Sequence, residues 1–158
     1  MKLINYVGVL SLVCATTLAG CSKDEKNVDT EYPVIDLSAS NSFPKQCSEL
    51  KRGETFTFTA LLTDNAKLGS FSLDIHHNFD HHSHSTEVNS CTMDPVKAPV
   101  NPMLYIKSYP IPEDSRRFEA DVDIAIPADI DPGDYHFMVL LTDAEGWQTI
   151  KGLSIKIK

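Results

Sequence analysis

An all-β fold, an antiparallel sandwich of about seven short strands, is the architecture this sequence predicts. Three observations carry that expectation. Runs of alternating apolar and polar residues recur along the chain, separated by Pro, Gly, Asp and Asn. No segment sustains a helical apolar period with caps at its ends. A Pro-Gly turn within "DIDPGDYHF" leads directly into a tyrosine that opens a strand, Tyr135.

The expected strands, in order, are 33–38 ("PVIDLS"), 54–62 ("ETFTFTALL"), 69–77 ("GSFSLDIHH"), 103–109 ("MLYIKSY"), 117–126 ("RFEADVDIAI"), 134–142 ("DYHFMVLLT") and 147–157 ("WQTIKGLSIKI"). In 69–77, Phe71, Leu73 and Ile75 share one parity and are expected to face the core, leaving Ser72, Asp74 and His76 outward. In 134–142, Tyr135, Phe137, Val139 and Leu141 face the core, and His136, Met138 and Leu140 face outward. The single tryptophan, Trp147, is read as a core residue at a strand start.

The segment around Tyr135 resembles the tyrosine corner of immunoglobulin-like domains, and the strand spacing agrees with that topology. An internal echo links "FTALLTDNAKLGSFSLDI" to "FMVLLTDAEGWQTIKGLSI". Two equivalent hairpins would produce it, and so would duplicated calcium sites at Asp64 and Asp143. The loops hold few further carboxylates for a calcium cage, so turn-capping by the aspartates is the favoured reading.

The N-terminus concerns address rather than fold. Lys2 precedes a short apolar run, 6–19, which is too short to span a bilayer as a helix and reads as a signal segment. It ends in "LAGC", Leu18 to Cys21, which resembles a bacterial lipobox with Cys21 as the lipidated residue; an ordinary secretory signal is the alternative. Residues 1–20 are accordingly read as a signal peptide, 21–31 as a lipidated start and flexible acidic linker, and 32–158 as one domain. Lys23, Asp24 and Glu25 resemble the surface-export tag of Bacteroidota lipoproteins, against the plainer reading of a solvated linker. The expected location is the outer membrane, with the domain displayed at the cell surface and held to the membrane by its lipid. A net charge of −8 argues against nucleic acid and against adhesion to anionic lipid.

Cys14 falls in the signal and Cys21 at the lipidation site, which leaves Cys47 and Cys91. In an extracytoplasmic compartment an even remainder points to one disulfide, with free buried thiols or metal ligation as alternatives.

Lipobox, acidic tag, "YPVIDL", the pattern G-x-x-F-x-F-x-A-x-x-x-D from Gly53 to Asp64, the histidine-rich segment and "DPGDYHFMVLLTDAEGW" together resemble an uncharacterised family of Bacteroidota lipoproteins with one immunoglobulin-like domain. The resemblance implies fold and address, not chemistry.

The chemistry lies in "DIHHNFDHHSHSTE". His76, His77, His81, His82 and His84, five of the chain's six histidines, fall within nine residues. In an immunoglobulin topology the third and sixth expected strands are antiparallel neighbours, so outward-facing His76 and His136 should meet at one pole. A turn at "NFD" would return His82 and His84 beside them. Imidazole suits Zn²⁺ and Cu²⁺ among other transition metals. Asp80 and Glu87 are possible oxygen ligands and Met138 a sulfur ligand. A solvated polar loop and a pH-responsive patch are the competing readings.

The expected function is therefore a surface lipoprotein that captures or delivers Zn or Cu, with an outer-membrane transporter as the expected recipient. The alternative is an adhesive module that binds a protein or glycan without metal. An enzyme is not expected, because the chain lacks a His-Glu-x-x-His helix, a nucleophile arrangement and a phosphate-binding glycine loop.

Overall fold

Alternation along each strand decides which side becomes core. The computed structural model describes residues 28–84 and 91–158. Its eight strands are β1 (Val34–Asp36), β2 (Glu49–Leu50), β3 (Thr55–Thr63), β4 (Leu68–His77), β5 (Tyr105–Pro110), β6 (Arg117–Ala125), β7 (Gly133–Asp143) and β8 (Gln148–Ile157). They form two sheets, β1-β3-β6 and β2-β8-β7-β4-β5. All pairings are antiparallel except β2 with β8. The fold is the expected all-β sandwich.

Each of the seven expected strands is present, with small shifts at its ends. β2 was not anticipated, because two residues are too few to show a period. It exists because its neighbours pair with the end of β8, through Lys156 N–H to the Ser48 carbonyl (2.9 Å) and Lys158 N–H to the Leu50 carbonyl (2.8 Å).

The core lies between the sheets. Phe58 and Ile124 contribute from one sheet, and Phe71, Leu73, Ile75, Tyr135, Phe137, Val139 and Leu141 from the other, all buried. Phe58 stacks on Phe137 at 5.5 Å between ring centroids, which joins the two layers. Tyr135 forms the expected corner: its hydroxyl donates to the Asp131 carbonyl at 2.6 Å and accepts the Met103 N–H at 3.2 Å. A buried phenol is thus satisfied on both sides while its ring fills the core.

Two expectations are corrected. The echoed segments are not equivalent hairpins: β7 and β8 pair within one sheet, whereas β3 and β4 lie in different sheets, so the chain crosses the sandwich between them. Their aspartates do share turn chemistry. Asp64 accepts the N–H groups of Ala66 and Lys67, and Asp143 those of Glu145, Gly146 and Trp147. Trp147 is not a core residue. It lies on the surface with its ring edge-on to Tyr32 at 5.0 Å, because the β7–β8 turn carries it past the end of the sheet.

Candidate metal centre

The site begins with register. β4 and β7 pair so that His76 stands directly opposite His136. Both share the parity opposite to the core residues, so both project from the outer face of the five-stranded sheet, at the pole where β4 ends and β7 begins. On its other side His136 pairs with Ser154 of β8.

The segment after β4 then returns over this face, anchored by one aromatic. Asn78 N–H bonds the Asp134 carbonyl at 2.8 Å, and Phe79 is buried with its ring edge-on to Tyr135 at 5.3 Å. Gly133 makes room for that ring: its φ is 138°, and a Cβ there would stand 2.9 Å from Phe79 Cε1. Lys97 Nζ lies 4.2 Å above the Phe79 ring centroid, and Lys97 N–H bonds the Phe79 carbonyl at 3.0 Å. Further along, Cys91 is bonded to Cys47, with Cα atoms 5.5 Å apart. The expected disulfide therefore closes the loop that carries the histidines.

The outcome is a cluster of four imidazoles. His76, His82, His84 and His136 each offer a ring nitrogen, and these nitrogens all lie within 4.8 Å of one another. His76 Nε2 and His84 Nε2 are 3.1 Å apart. The centroids of His82 and His84 lie 4.7 and 4.5 Å from that of His136. A tetrahedral metal with bonds of about 2.0–2.1 Å to nitrogen sets its ligands about 3.3 Å from one another, so small side-chain movements bring this set onto one ion.

Two carboxylates orient the rings. Asp74 Oδ1 lies 2.8 Å from His76 Nδ1, and Asp80 Oδ1 lies 2.6 Å from His82 Nδ1. A proton on each Nδ1 leaves the Nε2 lone pair for a metal, the arrangement that typically surrounds histidine ligands. The hydrogen bond from His82 holds the Asp80 carboxyl below its ordinary range. A bound dication would sit beside two carboxylates, so its charge is balanced without a carboxylate in its coordination shell.

His136 is fully buried, although it faces away from the core. The returning loop covers it, and its Nε2 lies 3.1 Å from the His82 carbonyl. Burial first, and then the neighbouring rings of His84 and His82, push its pKa down to about 4. It is therefore neutral, the form that binds metal, across the physiological range.

Two histidines expected in the site are not in this cluster. His77 has the other strand parity; its ring packs on Phe79 at 5.0 Å instead. His81 adopts a left-handed backbone, φ 58°, which turns its ring outward to the Asp94 carbonyl at 2.9 Å. Asp80 does not join the cluster as an oxygen ligand but orients His82. Met138 stands opposite Asp74 in the β4–β7 ladder, on the same face of the sheet as His136. Glu87, Cys21 and residues 1–20 lie outside the described residues.

The orienting role of Asp74 and Asp80 was missed, yet the sequence carries a signal for it. Both stand in Asp-x-His: in β4 the extended backbone places Asp74 and His76 on one side, whereas between Asp80 and His82 the left-handed backbone of His81 brings the pair together. The third instance, Asp134-x-His136, does not act this way. Asp134 accepts the Asp94 N–H at 2.7 Å and pairs with Lys156 at 3.4 Å.

No curated protein matches the chain. Residues 19–158 match the family model described as a domain of unknown function, DUF4625, and the chain belongs to that family.

Proposed function

We propose that this protein is a lipoprotein of the bacterial cell surface that binds a transition metal ion, Zn²⁺ or Cu²⁺, through His76, His82, His84 and His136. The observation that carries the reading is the convergence of four ring nitrogens within 4.8 Å. Carboxylates on two of the rings support it, because a solvated polar loop has no need to fix imidazole tautomers.

The ligand count favours holding over catalysis. Catalytic zinc sites keep one position open for water or substrate, whereas four imidazoles complete a tetrahedral shell. His76, His82 and His84 are only half-buried, so the ion has a route in and out past them. Such a site suits capture and delivery, with an outer-membrane transporter as the recipient. The address rests on the resemblance of "LAGC" to a lipobox and of "SKDE" to a Bacteroidota export tag.

A second reading, an adhesive module without metal, is favoured by one feature. β5 is the edge of the larger sheet, and Leu104 and Ile106 are exposed there.

Metal analysis of the full chain, purified without a histidine tag, separates the two. About one equivalent of Zn or Cu, lost in a His76→Ala/His136→Ala variant, is the expected result. Stoichiometry equally low in both proteins overturns the metal reading. Radiolabelled palmitate incorporation that depends on Cys21 tests the address.

A further inference from the structure

A second group of candidate ligands lies at the far end of β7. His136 and Asp143 are seven positions apart on this strand, about 23 Å at ~3.3 Å per residue. There, one carboxylate oxygen from each of Asp29, Asp143 and Glu145 lies within 4.8 Å of the other two.

Acidic groups often gather on surfaces without purpose, but two members of this group are interior. Asp143 is 4% exposed and Asp29 is 9% exposed. Each commits one oxygen to the protein. Asp143 Oδ1 accepts three backbone N–H groups, from Glu145 (3.0 Å), Gly146 (2.6 Å) and Trp147 (2.7 Å). Asp29 Oδ1 accepts Glu31 N–H at 3.0 Å and the Asn65 side-chain amide at 2.8 Å. The other oxygen of each, Oδ2, is buried and has no hydrogen-bond partner among the described residues. Two desolvated acceptor oxygens beside a third carboxylate are strongly unfavourable unless a cation joins them.

We infer that Asp29, Asp143 and Glu145 bind a hard divalent cation of the Ca²⁺ class, which fastens the segment entering β1 to the β7–β8 turn. The donors are all oxygen, which selects Ca²⁺ or Mg²⁺ over the softer ions that suit imidazole. Exposed Glu145 leaves room for waters to complete the shell. The ion would reinforce contacts that already join the two segments. Trp147 Nε1 donates to the Asp29 carbonyl at 2.9 Å, and the Tyr32 ring packs on Trp147. A clasp here sets the direction in which the preceding chain leaves the sandwich. With three protein ligands, the affinity expected is that of extracellular modules, a dissociation constant of about 10⁻⁴–10⁻³ M.

Tb³⁺ is the probe, because it replaces Ca²⁺ and Trp147, the only tryptophan, sits at the site to sensitise its emission. The full chain should show tryptophan-sensitised Tb³⁺ luminescence that Ca²⁺ displaces. Asp29→Asn and Glu145→Gln should each weaken Tb³⁺ at least about tenfold, since even partners beyond the ligands cost 10–100-fold at metal sites. Glu145 is exposed, so its variant tests the idea without disturbing the fold. His76→Ala/His136→Ala should leave the signal unchanged. Absence of sensitised emission, unaltered Tb³⁺ affinity in both carboxylate variants, or loss of signal in the histidine variant overturns the inference.

Discussion

His76 and His136 stand opposite each other across the β4–β7 ladder, in direct register, with ring centroids 5.2 Å apart. Neither side chain chose this pairing independently. The neighbouring core-facing pairs, Ile75 with Phe137 and Leu73 with Val139, lock the ladder, and a one-residue slip of either strand would turn its histidine inward. The sandwich therefore positions half of the candidate site rigidly, and the loop through His82 and His84 supplies the rest.

Replacing a ligand should differ sharply from replacing its neighbour. His76→Ala, His82→Ala, His84→Ala or His136→Ala should each weaken Zn²⁺ or Cu²⁺ more than about 100-fold. Asp74→Ala and Asp80→Ala should cost about 10–100-fold, the range for groups that orient a ligand. His77→Ala and His81→Ala should have little effect, because their rings point elsewhere. Competition titration against a chromogenic chelator reads all eight variants. Equal losses across the whole histidine segment would contradict the geometry.

The disulfide should matter twice. Cys47 and Cys91 are 44 residues apart, and in the chain-entropy model closing a loop of that size stabilises by about 4 kcal/mol. Cys47→Ser/Cys91→Ser should lower the denaturant midpoint accordingly. It should also weaken metal binding, since it releases one end of the loop bearing His82 and His84. Chemical denaturation and metal titration of the same variant separate the two effects. Unchanged metal affinity in a folded variant would show that the loop orders itself without the bridge.

Acid should act through His136. Burial and its imidazole neighbours lower its pKa to about 4 in the fold. Its ordinary value of about 6.5 applies to the unfolded chain. Between these two pH values the unfolded chain holds a proton that the folded one refuses, so this contribution is intact above pH ~6.5 and falls as pH drops toward ~4. Calorimetry of metal-free protein across that window should show a falling Tm, with a shallower slope in His136→Gln. Metal affinity should fade below about pH 6 as protons compete for the ring nitrogens. A flat wild-type profile, or one as steep in the variant, would remove His136 as the cause.

Gly133→Ala tests how the loop is seated. A methyl group there would stand 2.9 Å from Phe79 Cε1 and 3.3 Å from Lys97 Nζ, on a backbone with φ 138°. The expected cost is about 1–3 kcal/mol, from the strained backbone and the displaced ring. Metal affinity should fall with it, because Phe79 anchors the turn before His82. Thermal unfolding with and without Zn²⁺ measures both. A stable variant with unaltered metal binding would mean that the Phe79 anchor is dispensable.

By itself the sequence determined the elements and their faces. Alternation in "SFSLDIH" and "YHFMVLL" is a local property, and it sufficed to put Phe71 and Tyr135 inside and His76 on the outer face. The pairing of Cys47 with Cys91 followed by elimination, once Cys14 and Cys21 had been assigned elsewhere. Only the tertiary structure decided which imidazoles converge. His81 and His82 are adjacent, yet one turns outward on a left-handed backbone and the other joins the cluster, and a string of polar residues carries no period that separates them. The same holds for Asp29. Its sequence neighbours read as a charged linker, and its burial against Asp143 depends on how β1 enters the sandwich beside the β7–β8 turn. Periodicity reports what each strand does alone, whereas a site assembled from distant segments depends on loop closure and on packing between strands, which no single stretch of residues encodes.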